Sequence, residues 1–279
     1  MDLSKRYLIT GGSGFLGSEI IKRLSEMGCR NIVSVSRNEG RSVALKERFP
    51  HVEIILGDIS DPYICQKACN GVDGIAHTAA FKHVGLAERE NVRECVRGNI
   101  LGTMNLLEET RKQKPEFIIG ISSDKAANVK GVYGATKLIM ERLFYEYETT
   151  NPYTKYRTVQ YGNVIYSTGS VLCKWKDRML AGKEVVITDR EATRFFLTVQ
   201  QAVDLIFDCL TNAKDSLPYT IQMKSIKVGD LLDAMMEKYG HVPVNTIGLQ
   251  IGENMHEYVT GNNSFNAERY TKEEILQLI

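Results

Sequence analysis

The first part of the chain alternates short β-branched runs with amphipathic stretches of helical length. The pattern predicts strands at Arg6–Thr10, Asn31–Ser36, Val52–Leu56, Gly74–His77, Phe117–Ser122 and Tyr156–Tyr161. It predicts helices at Phe15–Met27, which Gly28 ends, at Val92–Lys112 and at Tyr133–Tyr147. Strands separated by helices of this length form right-handed βαβ units, in which helices cover both faces of a parallel sheet. Residues 1–164 are therefore predicted to be a doubly wound α/β domain that binds a dinucleotide.

The pattern changes after Val164. Segments become shorter and more mixed, with a strand predicted at Glu184–Thr188 and helices at Gln200–Asn212 and Val228–Tyr239. No internal repeat, low-complexity tract or Pro/Gly/Ser-rich linker separates the two parts. We therefore expect residues 165–279 to form a smaller, substrate-binding lobe that is partly interleaved with residues 1–164 and does not fold independently.

The composition is that of a globular protein and argues against two classes of partner. Hydrophobic residues make up 43% and charged residues 25%. With 35 basic and 34 acidic residues, the chain has no electrostatic footprint for nucleic acid or an anionic membrane. No apolar run is long enough to span a bilayer, and no signal peptide is recognisable. The six cysteines lack paired ligand spacing, so we expect reduced packing residues, no metal site and a cytoplasmic location.

A glycine-rich loop between the first strand and the first helix predicts a dinucleotide site. It reads TGGSGFLG from Thr10 to Gly17, and its glycines permit a tight turn and close approach of a pyrophosphate. The start of the following helix offers free N–H groups and a positive dipole end. The GxxGxxG spacing resembles that of short-chain dehydrogenases. The predicted cofactor contacts in this loop are Gly11, Ser13, Gly14, Phe15, Leu16 and Gly17.

The end of the second strand favours NADP over NAD. An acid there would hold the ribose hydroxyls of NAD, whereas Ser36 and Arg37, followed by Asn38, suit the 2′-phosphate of NADP. Arg37 could also be a solvated charge at a strand end, so NAD remains possible. Asp58 and Ile59 follow the third strand, where this superfamily contacts adenine, although an ordinary Asx turn would also explain Asp58.

A Tyr-x-x-x-Lys pair supplies candidate chemistry. Tyr133 and Lys137 are four residues apart on a predicted helix and therefore share one face. A cation beside a phenol favours the phenolate, so we expect a lowered pKa for Tyr133, which suits a general base. Ser123, at the end of the fifth strand, completes the serine, tyrosine and lysine triad of short-chain dehydrogenases. Tyr133 and Lys137 are also predicted to contact the cofactor.

Ser123 is followed directly by an acid, Asp124, and an amine, Lys125. Together these groups can remove one proton and protonate a leaving hydroxyl, which an elimination needs and a simple dehydrogenation does not. The elimination requires a raised pKa for Asp124 and a lowered pKa for Lys125. A salt bridge within the loop is the alternative explanation of the pair.

Several segments resemble the UDP-N-acetylglucosamine 4,6-dehydratases of bacterial surface-polysaccharide pathways, which are extended short-chain dehydrogenases/reductases with a Rossmann-type sheet. They are AFKHV at 80–84, SDKA at 123–126, YGATK at 133–137, YGNV at 161–164, and TD followed by TRFF within 188–196. The resemblance extends to GE at 252–253 and HE at 256–257. The chain departs from the family at Thr168 and Gln250, where the family usually has arginine.

The resemblance implies a lyase that converts UDP-N-acetylglucosamine into a UDP-4-keto-6-deoxy-N-acetylhexosamine without net oxidation. Tyr133, assisted by Lys137 and Ser123, would take the proton of the 4-hydroxyl while hydride leaves carbon 4 for a tightly bound cofactor. Lys125 would take the proton of carbon 5, and Asp124 would protonate the departing 6-hydroxyl. The hydride would then return to carbon 6.

The same resemblance implies the remaining contacts. Further cofactor contacts would be Ala79, Ala80, Lys82, Tyr161, Asn163 and Val164. Substrate contacts would be Lys82, His83, Asn163, Thr188, Arg194 and Glu253. Within this set Arg194 suits the UDP diphosphate, and Glu253 suits the uridine ribose.

Two other functions stay open. A UDP-N-acetylhexosamine 4-epimerase would need Tyr133 and Lys137 but not Asp124 and Lys125. A non-catalytic NADP-binding regulator would need neither pair, and such proteins tend to lose the tyrosine and lysine. We also expect a homo-oligomer, because helices that flank such sheets commonly form dimer interfaces.

Overall fold

The computed structural model describes all 279 residues. The strands are β1 (Tyr7–Thr10), β2 (Ile32–Ser36), β3 (Glu53–Leu56), β4 (Gly74–His77), β5 (Phe117–Ile121), β6 (Lys155–Val159), β7 (Asn163–Val164), β8 (Val185–Ile187), β9 (Thr193–Leu197), β10 (Pro218–Tyr219), β11 (Ser225–Lys227), β12 (Val244–Thr246), β13 (Tyr258–Val259) and β14 (Asn262–Asn263). The helices are α1 (Phe15–Glu26), α2 (Glu39–Arg48), α3 (Pro62–Cys69), α4 (Val84–Arg89), α5 (Val92–Val96), α6 (Gly102–Gln113), α7 (Asp124–Ala127), α8 (Val132–Thr150), α9 (Val171–Leu180), α10 (Val199–Asn212), α11 (Val228–Tyr239) and α12 (Lys272–Leu278).

The centre of the molecule is a seven-stranded sheet in the order β10-β6-β5-β4-β1-β2-β3, and all its pairings are parallel. The strand order reverses between β1 and β4. In such a sheet the carboxyl ends of the strands on either side of the reversal open a crevice that binds ligands. The predicted doubly wound, Rossmann-type fold is confirmed.

Both faces of this sheet are buried under helices. Neighbouring residues of one strand enter opposite cores, because side chains alternate across a strand. Leu8 and Ile118 pack into a cluster with residues of α3, α6 and α8. Ile9 and Ile119 pack into a second cluster with residues of α1 and α10. Burial on both sides explains why these strands are almost continuously apolar.

Residues 165–279 build a third apolar cluster around Trp175, Phe196 and Leu231. It is associated with a three-stranded sheet, β11-β9-β7, and a two-stranded sheet, β12-β8. This part is also woven into the first one, since β10 pairs with β6 at the edge of the main sheet and α10 packs against α1.

The long helix predicted at Val92–Lys112 is interrupted. A π-helical turn, Arg97–Leu101, joins α5 to α6. A π turn accommodates one extra residue, and such turns often occur near functional sites. In this turn the buried Asn99 side chain bonds both the N–H and the carbonyl of Phe81. The hydrophobic period of the sequence does not reveal this change of helical register.

The pattern also leaves α2 and α3 unpredicted, although both start at local capping signals. Asn38 accepts a hydrogen bond from the Arg41 N–H at the start of α2, and Asp61 does so from the Tyr63 N–H at the start of α3. Helix α2 buries only two residues, so its hydrophobic period is weak. None of the helices combines the length and the apolar character needed to cross a membrane.

Candidate active site

The loop after β1 has the geometry of a pyrophosphate cradle. Gly11 has a φ of 68°, and a Cβ there would lie 2.9 Å from the backbone of Ala79. A Cβ at Gly17 would lie 2.4 Å from the Gly11 carbonyl oxygen. Gly14 precedes α1 without a side-chain cap, so the first N–H groups of that helix, from Phe15 onward, have no partner within it. These residues fit the diphosphate of a dinucleotide.

Charged and hydroxyl groups lie beyond this loop, at the ends of β2 and β3. The Ser36 hydroxyl accepts a hydrogen bond from the Ser13 N–H at 3.1 Å. The exposed Arg37 guanidinium lies 3.3 Å from the Asp58 carboxylate. Asp58 also accepts a hydrogen bond from the Ser60 N–H, which is the Asx turn that the sequence leaves open. Arg37 is therefore free to meet solvent or a phosphate, with Asp58 as its only protein partner.

A buried chain of hydrogen bonds ties the ends of β1 and β4 to α6. The Ala79 N–H donates to the Thr10 hydroxyl, and Thr10 contacts His77 Nδ1 at 2.8 Å. His77 Nε2 contacts the Thr103 hydroxyl at 3.0 Å, and that hydroxyl donates to the Asn99 carbonyl. Thr103 therefore accepts from His77, which places the imidazole proton on Nε2. Burial lowers the pKa of His77 to about 3, so this histidine is neutral.

The predicted catalytic residues come together at the carboxyl end of β5. Ser123 caps the short helix α7 and donates to Asp124 Oδ1 at 2.7 Å. Lys137, on α8, donates to the Ile121 carbonyl at 2.7 Å. A Cβ at Gly134 would lie 2.4 Å from the Lys125 carbonyl oxygen, so α8 presses closely on α7.

Asp124 and Lys125 belong to a buried cluster of four charged side chains. Lys125 Nζ lies 2.9 Å from Asp124 Oδ1 and 3.3 Å from Glu257 Oε1. Arg194 Nε lies 3.7 Å from the same Glu257 oxygen. Asp124 is fully buried, and the Lys125 side chain is 19% exposed. Neither side chain points into bulk solvent, which keeps both in place for chemistry at the end of the sheet.

The pKa directions in this cluster agree with one expectation and contradict the other. Burial raises the pKa of Asp124, as an acid catalyst requires. Burial lowers the pKa of Lys125, but the carboxylates of Asp124 and Glu257 outweigh burial and raise it above the usual value. The expected low pKa of Lys125 is therefore wrong for the free protein, where this residue is an ammonium.

The expected low pKa of Tyr133 is wrong for the same kind of reason. Burial raises the pKa of Tyr133 to about 12, although the charge of Lys125 and a hydrogen bond with Ser123 work in the opposite direction. The cation that lowers the pKa of the phenol is Lys125. Burial lowers the pKa of Lys137 to about 8, so in a fraction of the molecules this side chain is a neutral amine near neutral pH.

The residues predicted to contact the substrate or the nicotinamide end of the cofactor differ in their exposure. Lys82 and His83 are exposed, and a Cβ at Gly169 would lie 2.7 Å from the His83 ring. The half-buried residues of the set, at or near the ends of strands and in loops, are Ala79, Ala80, Asn163, Val164, Thr188 and Glu253. Tyr161, from the same set, is buried, and so is Ile59, which is predicted to contact adenine.

Arg194 is occupied by protein groups. Besides Glu257, it contacts the carbonyls of Thr193 and Met255 through Nη1, at 2.9 and 3.0 Å. The Glu253 carboxylate accepts a hydrogen bond from the Gln250 N–H at 3.1 Å. The structure therefore pairs Arg194 with the carboxylate that also contacts Lys125, an arrangement that the sequence does not indicate.

Comparison with known proteins identifies the family. The profile of a family described as polysaccharide biosynthesis protein matches residues 7–277. The chain belongs to this family. A UDP-N-acetylglucosamine 4,6-dehydratase (inverting) of Campylobacter jejuni is 33% identical over 91% of this chain and 76% of that protein. An uncharacterized membrane protein of Methanocaldococcus jannaschii is 35% identical over 91% and 79%.

The solved structure of Pen from Bacillus thuringiensis superposes on this chain with a TM-score of 0.94, covering 99% of this chain and 97% of Pen at 28% sequence identity. These likenesses make the chain a nucleotide-sugar enzyme of the dehydratase and epimerase type within the short-chain dehydrogenases. This class argues against the alternative of a non-catalytic NADP-binding regulator.

Sequence reasoning did not assign a role to Glu257, Asn99 or His77. Glu257 is only part of the short resembling segment HE at 256–257, and its distance along the chain from Lys125 hides their contact. Asn99 lies in the middle of a predicted helix, where a buried amide gives no periodic signal. The contacts of such residues can be recognised only in the folded protein, where segments distant in the sequence lie together.

Proposed function

We propose that the protein removes water from UDP-N-acetylglucosamine and yields a UDP-4-keto-6-deoxy-N-acetylhexosamine, with NADP as the tightly bound cofactor. One observation carries this proposal. Asp124 and Lys125 are in contact at 2.9 Å, turned inward at the end of β5, beside the triad that would oxidise carbon 4. A simple dehydrogenation has no use for a buried acid and amine there.

The first step uses the triad. A nicotinamide dinucleotide held at the Gly11–Gly17 loop supplies the acceptor for the hydride of carbon 4 and later returns it to carbon 6. Tyr133 takes the proton of the 4-hydroxyl, and Ser123 can hydrogen-bond the same oxygen. Lys137, fixed on the Ile121 carbonyl, lies one helical turn after Tyr133. This step leaves a 4-ketone, which acidifies the proton on carbon 5.

The second step uses the inward-facing pair. Lys125 takes the proton of carbon 5, and the electrons of that C–H bond form a carbon–carbon double bond as the bond from carbon 6 to its oxygen breaks. Asp124 gives its proton to that oxygen, which leaves as water. Lys125 then returns a proton to carbon 5 when carbon 6 receives the hydride.

This scheme leaves one proton out of place after each turnover. Tyr133 has gained the proton of the 4-hydroxyl, and Asp124 has lost the proton that left with water. Ser123 is suited to reset both, because it donates to Asp124 Oδ1 at 2.7 Å and also acts on Tyr133, whose pKa it lowers. A proton that moves from Tyr133 through the Ser123 hydroxyl restores Asp124 for the next cycle.

A 4-epimerase is the second candidate, and one observation favours it. The raised pKa of Lys125 makes this residue an ammonium, which cannot take a proton from carbon 5 until it is deprotonated. An epimerase would use Tyr133 and Lys137 alone.

Incubation with UDP-N-acetylglucosamine and NADP separates the two reactions. The proposal predicts a product lighter by one water, and a Lys125→Met variant that loses at least about 100-fold of this rate. Lys125 is not the base in the oxidation of carbon 4, so the variant should still form reduced cofactor, but more slowly, because the ammonium that lowers the pKa of Tyr133 is gone. The matched control is Lys130→Met, an exposed lysine nearby, which should dehydrate at the normal rate. A product of unchanged mass would identify an epimerase instead.

A further inference from the structure

Lys125 has two carboxyl neighbours, and only one of them is needed as its counter-ion. Lys125 Nζ is 2.9 Å from Asp124 Oδ1 and 3.3 Å from Glu257 Oε1. Both carboxyl side chains are almost completely buried, with exposures of 0% and 2%. Two anions close together away from water cannot both ionise easily, so the one with fewer partners keeps a proton.

Glu257 has more charged and hydrogen-bonding partners in the protein than Asp124. Its Oε1 lies near Lys125 and within 3.7 Å of Arg194 Nε. Its Oε2 accepts a hydrogen bond from Asn254 Nδ2 at 3.2 Å. Both oxygens of Glu257 are therefore matched by donors or cations, which favours the carboxylate.

Asp124 is satisfied on one side only. Its Oδ1 accepts from Ser123 at 2.7 Å and from Lys125. Its Oδ2 is buried and has no hydrogen-bond partner. An unpartnered carboxylate oxygen in a buried site is costly, whereas the protonated group has no charge to desolvate.

We propose that Glu257 is a positioning residue that serves as the counter-ion of Lys125, so that Asp124 carries the proton that the leaving hydroxyl receives. The inference rests on the proposed dehydration for its functional meaning. Its physical content, a protonated Asp124 that depends on the charge of Glu257, stands independently of any substrate.

The surrounding groups are consistent with this assignment. Asp124 faces the ammonium of Lys125, the carboxylate of Glu257 and, from α8, the phenol of Tyr133. Burial and the charge of Glu257 raise the pKa of Asp124 more than Lys125 lowers it. Burial raises the pKa of Glu257, but Lys125 and Arg194 bring it below its usual value. The pKa values of Asp124 and Glu257 are thus shifted in opposite directions.

Glu257 is also held rigidly. Its N–H donates to the Ser264 hydroxyl at 2.8 Å, and Ser264 contacts the Thr193 hydroxyl at 2.7 Å. Asn254 bonds both the side chain and the carbonyl of Asn128, the residue that ends α7. The segment that carries Glu257 is thereby fixed to the segment that carries Asp124 and Lys125.

A Glu257→Gln variant keeps the size of the side chain and removes its charge. Lys125 then has Asp124 as its only carboxylate, so Asp124 should ionise and lose its acid proton. Infrared difference spectroscopy separates the carbonyl band of a protonated carboxyl group from carboxylate bands. At neutral pH we expect this band in the unmodified protein. It should disappear in Asp124→Asn, which assigns it, and also in Glu257→Gln.

Two further variants serve as controls. Glu191→Gln makes the same chemical change at an exposed carboxylate that pairs with Lys227, and it should keep the band. Glu257→Asp restores the charge and should regain the band, which a general packing defect at this position would not allow. Absence of the band from the unmodified protein, or its persistence in Glu257→Gln, would overturn the inference whether or not every variant folds well.

A second readout connects the inference to catalysis. With UDP-N-acetylglucosamine, Glu257→Gln should still form reduced cofactor but release water at least about 100-fold more slowly, because the acid is missing. If the unmodified protein has the infrared band but releases no water from this substrate, the proposed function fails and the role of Glu257 survives. If it releases water but lacks the band, the role of Glu257 fails alone.

Discussion

At the scale of single residues, the site is governed by burial and by the partners of each charge. Lys125 and Tyr133 both have raised pKa values, although their causes differ. The two neighbouring carboxylates raise the pKa of Lys125 against the effect of burial, whereas burial itself raises that of Tyr133. Both residues must lose a proton before they can act as bases, so the free protein is held in a resting protonation state.

This resting state predicts the pH dependence of the dehydration rate. The fraction of deprotonated Tyr133 and Lys125 increases as pH rises, because both pKa values lie above neutrality. The turnover number should therefore increase with pH from pH 6 up to the pH at which Asp124 loses its proton, as measured by water loss at saturating substrate. A rate that falls across this range, in protein shown by circular dichroism to stay folded, would contradict the roles of both bases.

Arg37 carries the prediction on cofactor choice. Its guanidinium is 60% exposed and contacts only Asp58, so a 2′-phosphate could replace that weak pairing with a charge-assisted one. Arg37→Ala should weaken NADP binding by about 10- to 100-fold and leave NAD binding nearly unchanged. Calorimetric titration with both cofactors measures this, with the exposed Arg48, at the far end of α2, replaced by alanine as the control. Tighter binding of NAD than NADP to the unmodified protein would exclude NADP as the preferred cofactor.

At the scale of elements, polar side chains lock the strand ends around the site. His77 on β4 links Thr10 on β1 to Thr103 on α6 through both ring nitrogens. Asn99, in the π turn, holds the Phe81 backbone and donates to the Thr136 hydroxyl of α8 at 2.9 Å. These bonds connect the crevice at the strand reversal to the helix that carries Tyr133 and Lys137.

The neutral His77 makes stability depend on pH. Its pKa of about 3 in the folded protein lies below the usual histidine value of 6.5. Below pH 6.5 the unfolded chain therefore binds a proton that the folded protein does not. This residue should lower the free energy of unfolding by about 1.4 kcal/mol for each pH unit between 6.5 and 3, and have no such effect above 6.5.

Replacement of His77 by glutamine tests this dependence. Glutamine can donate and accept but does not titrate, so any stability advantage of the unmodified protein over His77→Gln should shrink as pH falls from 7 to 5. Urea unfolding at several pH values measures the difference, in which contributions of the other titrating groups cancel. A difference that stays constant over this range would show that His77 is not held neutral.

At the scale of the whole molecule, one apolar stripe has no partner within the chain. It consists of Val92, Val96, Leu101 and Met104, each between 40% and 44% exposed. The π turn between Val96 and Leu101 keeps these residues on one face, because a π turn spans five residues. Exposed apolar side chains aligned along one helix suit contact with a second copy of the chain across a two-fold axis.

A charge within this stripe should separate such copies. We expect the unmodified protein to form a dimer in solution and Val96→Glu to shift it to a monomer, as measured by light scattering after size-exclusion chromatography. Val43→Glu introduces the same charge at another exposed valine, on α2, and should leave the dimer intact. A monomeric unmodified protein, or a dimer that persists in Val96→Glu, would remove this stripe as the interface.

The sequence by itself determined the alternation of strands and helices, the glycine loop and the order of Ser123, Asp124, Lys125 and Tyr133. These features depend on signals a few residues long, namely hydrophobic period, turn chemistry and adjacency on one helix face. Three features depend on the fold: the π turn at Asn99, the contacts of Glu257 with Lys125 and Arg194, and the charge of Lys125. Those depend on distances between residues remote in the chain and on exclusion of water, which no local pattern encodes.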